Sequence, residues 1–288
     1  MTKPHRATLV ALHLSVLFFG LSGIFIASVE ASAFAVVLGR VGFSCVALGI
    51  TLKLMGKSMV PETSHLPLIL LGGLLLACHW IFFVLSVQIG SVAIATITFA
   101  TAPLFLSVLE PLLFGESPRK YSLPLALLVL CGVVITVPEY TLSNQAAVGT
   151  LWGMGGALTY ALLALVNRKI APHYHGVQLS FWHHAIVVAV ALPLVWQEGT
   201  FLQGMDWVYV AGLGLICTAL GYSLFVRAQQ GVSAQTLGLV SSLETPYSIV
   251  FALVLLGQIP TVRQLIGGTI ILIVALVASR LATDLPEK

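Results

Sequence analysis

The chain has 288 residues, of which 58% are hydrophobic and only 8% are charged, and its mean hydropathy is +1.04. A soluble globular domain carries about 25% charged residues, so this composition excludes a water-soluble protein and indicates an integral membrane protein. The net charge of +3 is spread thinly over the sequence, which contains no basic cluster of the kind that binds nucleic acid.

Ten apolar segments are long enough to cross the hydrocarbon core of a bilayer, which takes roughly 20 residues of helix. They lie at about 7–28, 34–55, 66–87, 91–113, 121–138, 149–167, 177–195, 206–226, 233–256 and 263–281. Short polar connections separate the segments and hold most of the charges, so no soluble domain is left over. The sequence therefore predicts an all-α integral membrane protein with ten transmembrane helices.

The first segment has some features of a cleaved signal peptide. Lys3 and Arg6 precede the apolar run, and Ala-Ser-Ala follows it at residues 31–33. The run itself is longer than the apolar part of a signal peptide and long enough to span a bilayer. We therefore interpret it as a retained first transmembrane helix.

The basic residues predict the orientation of the ten segments. If the N-terminus is cytoplasmic, eleven of the thirteen lysines and arginines fall on the cytoplasmic side: Lys3, Arg6, Lys53, Lys57, Arg119, Lys120, Arg168, Lys169, Arg227, Arg280 and Lys288. Arg263 falls on the opposite side, and Arg40 lies within the second segment. Such a bias is what the positive-inside rule requires. We predict a multi-pass membrane protein with both termini in the cytoplasm.

Two regions of the chain resemble each other, one from Val87 to Pro118 and the other from Ala228 to Pro260. Each has Gln-x-Gly before a helix, a proline within the helix and Gly-x-x-Pro after it. The Gly-x-x-Pro motifs begin at Gly115 and Gly257, and the distance in sequence between these two glycines is here named the repeat offset. This similarity indicates an internal duplication.

Ten spans divided between two copies give five spans per copy, which predicts a first unit at 1–140 and a second at 141–288. Because five is an odd number, the second copy enters the membrane upside down relative to the first. Two inverted repeats are typical of secondary transporters, which bind substrate near the bilayer midplane between the halves. Pro103 and Pro246, the prolines inside the two similar helices, are then candidate hinges around which the halves bend.

The doubled five-helix unit, the proline followed by Gly-Glu at the helix exit, and Arg40 in the second span resemble the drug/metabolite transporter superfamily, EamA type. The resemblance covers nearly the whole chain and is greatest to bacterial inner-membrane exporters of aromatic and other neutral amino acids. It implies alternating access around a cavity at the midplane. The second half departs from the pattern, because Gln258 stands where the first half has Glu116.

His79 lies near the middle of the third segment, where an ionisable side chain is costly and usually faces a cavity or a partner. Helical spacing places His79, Phe83 and Ser86 on one face. Trp80 points about 100° away, so it either borders the same cavity or faces lipid. The alternative for His79 is a structural hydrogen bond to a neighbouring helix. We interpret His79, Trp80 and Phe83 as substrate-binding residues.

Glu244 is the second ionisable residue in the middle of a segment, two positions before Pro246. A proline frees backbone polar groups that a substrate can use, and a carboxylate beside it can bind an ammonium group or carry a proton. The alternative is a structural partner of Arg40 or of a histidine. We add Glu244 and the nearby Ser242 to the predicted substrate-binding residues.

Tyr160 and Tyr222 are phenols in the middle of their segments, and each either lines the site or packs in the core. We include Tyr160 among the substrate-binding residues. Gly149 and Gly153 have the spacing that allows close packing of membrane helices.

Four other ionisable side chains receive structural interpretations. For Arg40 we favour anchoring to a loop or a helix end over carboxylate binding. Glu110 lies near Arg119 and Lys120 at the cytoplasmic end of its segment, and for it we favour either snorkelling to the interface or pairing. His183 and His184 are also interpreted as interfacial.

The sequence contains no pattern that indicates a cofactor, a metal site or an enzyme. Residues 54–58 imitate part of a phosphate-binding loop, but Thr51 stands where the pattern needs glycine. The four cysteines lie inside apolar runs without metal-ligand spacing, which favours a packing role.

The favoured hypothesis is a secondary transporter that exports small organic metabolites, with aromatic and other hydrophobic amino acids as cargo. Its expected partners are a small molecule and membrane lipid; oligomeric state is left open, and a monomer is compatible with the sequence. The alternatives are efflux of drugs or cationic amphiphiles, and a membrane enzyme or scaffold without a transport cycle.

Overall fold

The computed structural model describes residues 3–115, 120–136, 145–232, 234–241, 243–257, 259 and 261–283, and helices account for nearly all of them. The α-helices are α1 (Lys3–Ala27), α2 (Ala33–Leu54), α3 (Leu66–Ile89), α4 (Val92–Phe99), α5 (Ala102–Phe114), α6 (Ser122–Thr136), α7 (Gln145–Ile170), α8 (Gly176–Glu198), α9 (Asp206–Gly212), α10 (Ser223–Ala228), α11 (Ala234–Ser241), α12 (Glu244–Leu256) and α13 (Val262–Thr283). A π-helical segment, Leu213–Tyr222, joins α9 to α10 without interruption.

These helices form ten crossings of the membrane, because α4 with α5, α9 with α10, and α11 with α12 each make one span. Within the described residues, seven apolar helical segments are long enough to cross a bilayer, and three shorter apolar helices complete the set. No strand occurs in the part of the chain that the structure describes. The predicted all-α membrane architecture with ten spans is therefore confirmed.

Two spans are interrupted near their middle. α4 ends at Phe99 and α5 begins at Ala102, while α11 ends at Ser241 and α12 begins at Glu244. A proline lacks the backbone N–H that continues a helix, but fits the first turn of a new one, where that donor is not needed. Pro103 and Pro246 occupy such first-turn positions, so they follow the breaks instead of lying within continuous helices.

The two interrupted spans match each other along their length. Adding the repeat offset to the first and last residues of α4 and α5 gives the first and last residues of α11 and α12, respectively. Gly115 and Gly257, which define this offset, follow the second segments, and both have a φ of +65°. Glycine adopts this left-handed conformation without steric cost. The spacing between the two similar regions of sequence is thus reproduced in the backbone.

The interrupted spans cross each other through two equivalent contacts. The hydroxyl of Thr245 in α12 donates to the carbonyl oxygen of Thr96 in α4 at 2.8 Å. Gly238 in α11 packs against Pro103 in α5, where a β-carbon on the glycine would lie 3.6 Å from the proline Cα. The repeat offset relates Thr96 to Gly238 and Pro103 to Thr245, so the second contact is the counterpart of the first. A two-fold axis between the halves requires such a pair of contacts.

The other helices follow the same symmetry. α3 packs on α7, and the equivalent contact joins the π-helical segment to α1. α2 packs on α8, and α6 packs on α13, so each of these helices contacts its own counterpart. Equivalent helices are five spans apart and run in opposite directions, which makes the fold two inverted five-helix repeats, as predicted. The division after residue 140 falls between the described ranges and stays a prediction.

The ends of the spans define two faces of the molecule. One face, here named the basic face, carries the described residues Lys53, Lys57, Lys120, Arg168, Lys169 and Arg227. The opposite face, here named the acidic face, carries Glu30, Glu198, Asp206 and Arg263. This separation of charge agrees with the predicted order of the spans.

Candidate functional site

A cavity lies between the two halves, beside the interrupted spans. Its wall is mostly aromatic and includes Phe19, Trp80, Phe83, Phe99, Tyr160, Tyr222 and Phe225. The polar side chains on the wall are Ser22, Arg40, His79, Ser241 and Glu244. The space inside that water-sized molecules can occupy is about 40 Å³. This is room for a few waters, whereas a ligand pocket usually holds about 300 Å³ or more. The cavity is therefore too small for a typical ligand in this conformation.

The internal repeat places aromatic residues on both sides of the cavity. Tyr222 and Phe225 follow Trp80 and Phe83, respectively, by the repeat offset, and all four line the cavity. The rings of Trp80 and Tyr222 meet edge to face with their centroids 5.8 Å apart. Trp80 therefore faces the cavity and not lipid. The sequence interpretation missed Phe225, although applying the repeat offset to Phe83 would have identified it.

His79 serves both of the roles that the sequence left open. Its Nδ1 donates a hydrogen bond to the carbonyl oxygen of Gly156 in α7 at 3.0 Å. The acceptor is a carbonyl, so Nδ1 carries the hydrogen, and in the neutral ring Nε2 is an acceptor. The ring also lines the cavity, 5.2 Å from the ring of Phe99 and 5.6 Å from that of Tyr160. Ser86, by contrast, donates to the Gly149 carbonyl and holds α3 against α7.

Tyr160 is bonded to the end of α11. The hydroxyl of Ser241 donates to the Leu237 carbonyl at 2.8 Å, so the 2.9 Å hydrogen bond between Tyr160 and Ser241 has the phenol as donor. The phenol oxygen keeps its lone pairs for another donor. Ser242 lies outside the described residues, and its neighbour Ser241 lines the cavity.

Glu244 is the first residue of α12, directly after the break in the ninth span. A carboxylate is stabilised at this end of a helix, because backbone N–H groups point towards it. The side chain is 5% exposed and lines the cavity. Among the described residues it has no ion-pair partner within 4.0 Å. The alternative interpretation, a direct ion pair with Arg40, is therefore not observed among the described residues, although both side chains border the same cavity.

Arg40 also lines the cavity, so our favoured interpretation of it as a loop or helix-end anchor was wrong. Its guanidinium lies over the ring of Trp80 at 4.2 Å, and its Nε donates to the hydroxyl of Thr218 at 3.0 Å. That hydroxyl donates in turn to the Leu213 carbonyl, five residues earlier in the π-helical segment. Widened helical turns of this kind are frequent at functional sites, and here one orients an arginine. No sequence pattern indicates this contact, because Thr218 is 178 residues from Arg40.

Other ionisable residues lie deeper than expected. His183 and His184 are fully buried, which contradicts their interpretation as interfacial. His183 bonds to the Tyr222 hydroxyl at 3.0 Å, and His184 bonds to the Ser44 hydroxyl at 2.8 Å. The bond of His183 supports the cavity wall from behind, because its partner Tyr222 lines the cavity.

Glu110 forms an ion pair, which is one of the two roles that the sequence left open for it. Its carboxylate accepts a hydrogen bond from Arg168 of α7 at 2.8 Å. The carboxylate is 2% exposed, so it is buried inside the basic face and does not extend to the interface. Glu116 and Gln258, which distinguish the two halves in sequence, lie outside the described residues.

The described residues contain no group of three or more histidine, cysteine or acidic side chains suited to a metal ion. The four cysteines are free, and only Cys217 is buried; Cys78 and Cys131 are exposed on the outside of the bundle. The site therefore consists of aromatic surface, one guanidinium and several hydrogen-bond acceptors. Such a site can bind a small amphipathic molecule.

Similar proteins are known as transporters. A transporter of Archaeoglobus fulgidus described as uncharacterized is 24% identical over 94% of this chain and 95% of its own. The pseudopaline exporter CntI of Pseudomonas aeruginosa is 20% identical over 74% of this chain and 75% of its own. The S-adenosylmethionine uptake transporter of Rickettsia felis is 23% identical over 83% and 80%, respectively.

A crystal structure with 18% sequence identity superposes with a TM-score of 0.78 and covers 98% of this chain and 99% of that one. It confirms the fold. The sequence model of the EamA-like transporter family matches the chain twice, at residues 6–137 and 147–280, which correspond to the two halves. With both halves matched and the transporter fold in place, the chain belongs to the EamA-like transporter family.

Proposed function

We propose that the protein exports small organic metabolites across the bacterial inner membrane, with aromatic and other hydrophobic amino acids as its cargo. We propose that the basic face is the cytoplasmic one, as the positive-inside rule predicts, and that both termini therefore lie in the cytoplasm. The observation that carries the proposal is the aromatic cavity between the inverted halves, with charged and hydrogen-bonding groups on its wall. Apolar walls with a few fixed polar groups are typical of small-molecule sites.

The relatives support a small organic cargo. One exports pseudopaline and another takes up S-adenosylmethionine, so both move small organic molecules. They move them in opposite directions, so export by this protein is argued from its resemblance to amino acid exporters.

The small size of the cavity supports alternating access. Its free space of about 40 Å³ does not hold an amino acid, so the halves must separate for cargo to enter. The breaks in the fourth and ninth spans lie where the halves cross, and Pro103 and Pro246 occupy the first turns after them. We propose that these breaks are the hinges of the transport cycle.

The proposal is tested by transport of labelled L-phenylalanine and L-leucine in liposomes that contain the purified protein. We expect transport above that of empty liposomes, and a loss of about tenfold or more when Trp80→Ala removes a cavity wall. Trp196→Ala is the matched control, because Trp196 is 78% exposed and far from the cavity wall. If the native protein moves no amino acid, or moves quaternary ammonium dyes instead, the amino acid assignment is wrong.

A further inference from the structure

The cavity wall carries both donors and acceptors of hydrogen bonds. Arg40, which is always charged, has only donors. Acceptors on the same wall are the carboxyl group of Glu244, the phenol oxygen of Tyr160 and Nε2 of His79. Tyr160 connects these three, because it bonds to Ser241 next to the helix break and its ring centre lies 5.6 Å from that of His79. A molecule in the cavity can therefore accept hydrogen bonds from Arg40 and donate to the other three residues.

Arg40 is fixed so that one part of it is left for a ligand. Trp80 covers a face of the guanidinium, and Thr218 accepts from its Nε. The two terminal nitrogens have no hydrogen-bond partner among the residues that the structure describes. They form the fork that binds a carboxylate through two parallel hydrogen bonds. Packing behind Arg40 is tight, since a β-carbon on Gly214 would lie 2.7 Å from the Arg40 carbonyl oxygen.

Burial makes Arg40 favour a nearby anion. It is 3% exposed, and in the described part of the chain no carboxylate lies within ion-pair distance. A buried charge without a paired counterion is unfavourable. A carboxylate supplied by the cargo would neutralise the guanidinium, and the ammonium group of the same molecule would meet the acceptors elsewhere on the cavity wall.

We propose that Arg40 binds the carboxylate of a free α-amino acid whose ammonium group is bound by the wall formed by Glu244, Tyr160 and His79. This inference rests on the proposed function and specifies its substrate class: an amino acid that carries both charged groups and an apolar or aromatic side chain. The aromatic residues that line the cavity receive that side chain. An amine without a carboxylate leaves Arg40 unpaired and is rejected.

The native protein in liposomes gives the first test. Phenethylamine lacks the carboxylate of phenylalanine, and 3-phenylpropionate lacks its ammonium group. Each should compete with labelled L-phenylalanine about 30-fold more weakly than unlabelled L-phenylalanine, since each leaves a buried charged group without its partner. If either analogue competes as well as phenylalanine, the inference is wrong.

The variant Arg40→Gln gives the second test. We expect the affinity for L-phenylalanine to fall by about 30-fold or more, while competition by phenethylamine is unchanged or improved. Arg263→Gln is the matched control, because Arg263 is exposed on the acidic face. An unchanged preference for phenylalanine over phenethylamine in a folded Arg40→Gln protein overturns the inference. If Arg40→Gln does not fold, the native competition decides. Failure of the proposed function gives a different result, the absence of amino acid transport by the native protein.

Discussion

Gly153 of α7 occupies a position at which no side chain fits. A β-carbon there would overlap the hydroxyl of Thr98 in α4 and would lie 3.0 Å from the hydroxyl of Ser86 in α3. The Thr98 hydroxyl already donates to the Ile94 carbonyl, so it cannot turn away without losing that bond. The two halves approach this closely beside the cavity, as the spacing of Gly149 and Gly153 predicted.

Gly153→Ala should therefore destabilise the protein by about 1–3 kcal/mol, because overpacking forces neighbouring atoms to move. Gly42→Ala is the matched control, since a β-carbon at Gly42 meets no atom within 4 Å. Alanine is the better helix former, so Gly42→Ala should raise stability by up to about 1 kcal/mol. Melting temperatures in detergent measure both effects. Equal melting temperatures for the two variants would contradict the close approach of α7 to α3 and α4 at Gly153.

The chemistry of single residues was only partly predictable from sequence. His79 and Glu244 stand out because an ionisable residue inside an apolar segment costs free energy, so such a residue usually binds a ligand or pairs with another group. Arg40 was equally visible, but its role depends on Thr218 and Trp80, which reach it only through the fold. The difference between the residues is therefore one of partners: a position within a span can be predicted locally, whereas a contact across the bundle cannot.

The contact between α5 and α7 joins the two halves of the protein at the basic face. Glu110 and Arg168 form an ion pair, and the Arg168 guanidinium lies 4.2 Å from the ring centre of Phe114. The counterparts of Glu110 and Arg168 in the other half are Ala252 and Ile26, so the equivalent place at the acidic face has no charge. The basic and acidic faces therefore differ in chemistry at these equivalent places.

A double-mutant cycle with Glu110→Gln and Arg168→Gln tests this contact. Each single change removes the ion pair between these side chains, of which Glu110 is buried, so each should lower the melting temperature. The double variant should lose less than the two losses combined, with a coupling of about 0.5–3 kcal/mol. Lys57→Gln combined with Glu110→Gln is the control cycle, because Lys57 is exposed in another loop. Additive losses in both cycles would show that the pair does not stabilise the closed face.

The number and type of the spans could be predicted, whereas their internal breaks could not. Length and apolar character are sufficient to identify a membrane helix, and these are local properties. Ala100 and Thr101, at the break between α4 and α5, differ little from the residues around them. Pro103 and Pro246 indicated the region but not the position, because proline is accepted both after a break and within a kinked helix. The π-helical segment has no comparable sequence signal.

At the scale of the whole molecule, the packing of the helices follows the two-fold symmetry, apart from the π-helical segment in the counterpart of α3, whereas the side chains break it. Equivalent contacts join the two halves, and Trp80 and Phe83 have aromatic counterparts. Arg40 and Glu244 have no charged counterparts, since Trp182 and Ala102 occupy the equivalent positions. The faces also differ: a depression of about 460 Å³ opens on the acidic face beside Ile26 and Glu30. In the transport cycle that we propose, the repeated backbone allows the two halves to rock, while the unequal side chains orient the cargo.

The central claim is that inverted halves expose one cavity to each side of the membrane in turn. Cysteine accessibility tests it most directly, with Phe83→Cys and Phe225→Cys in a variant without the native cysteines. Lys57→Cys and Phe201→Cys report reagent added at the basic and acidic faces, respectively, because both residues are exposed in loops. We predict that an impermeant thiol reagent reaches both cavity positions from either face, and that cargo changes the two rates together. Labelling of the two positions from a single face under every condition would contradict the account.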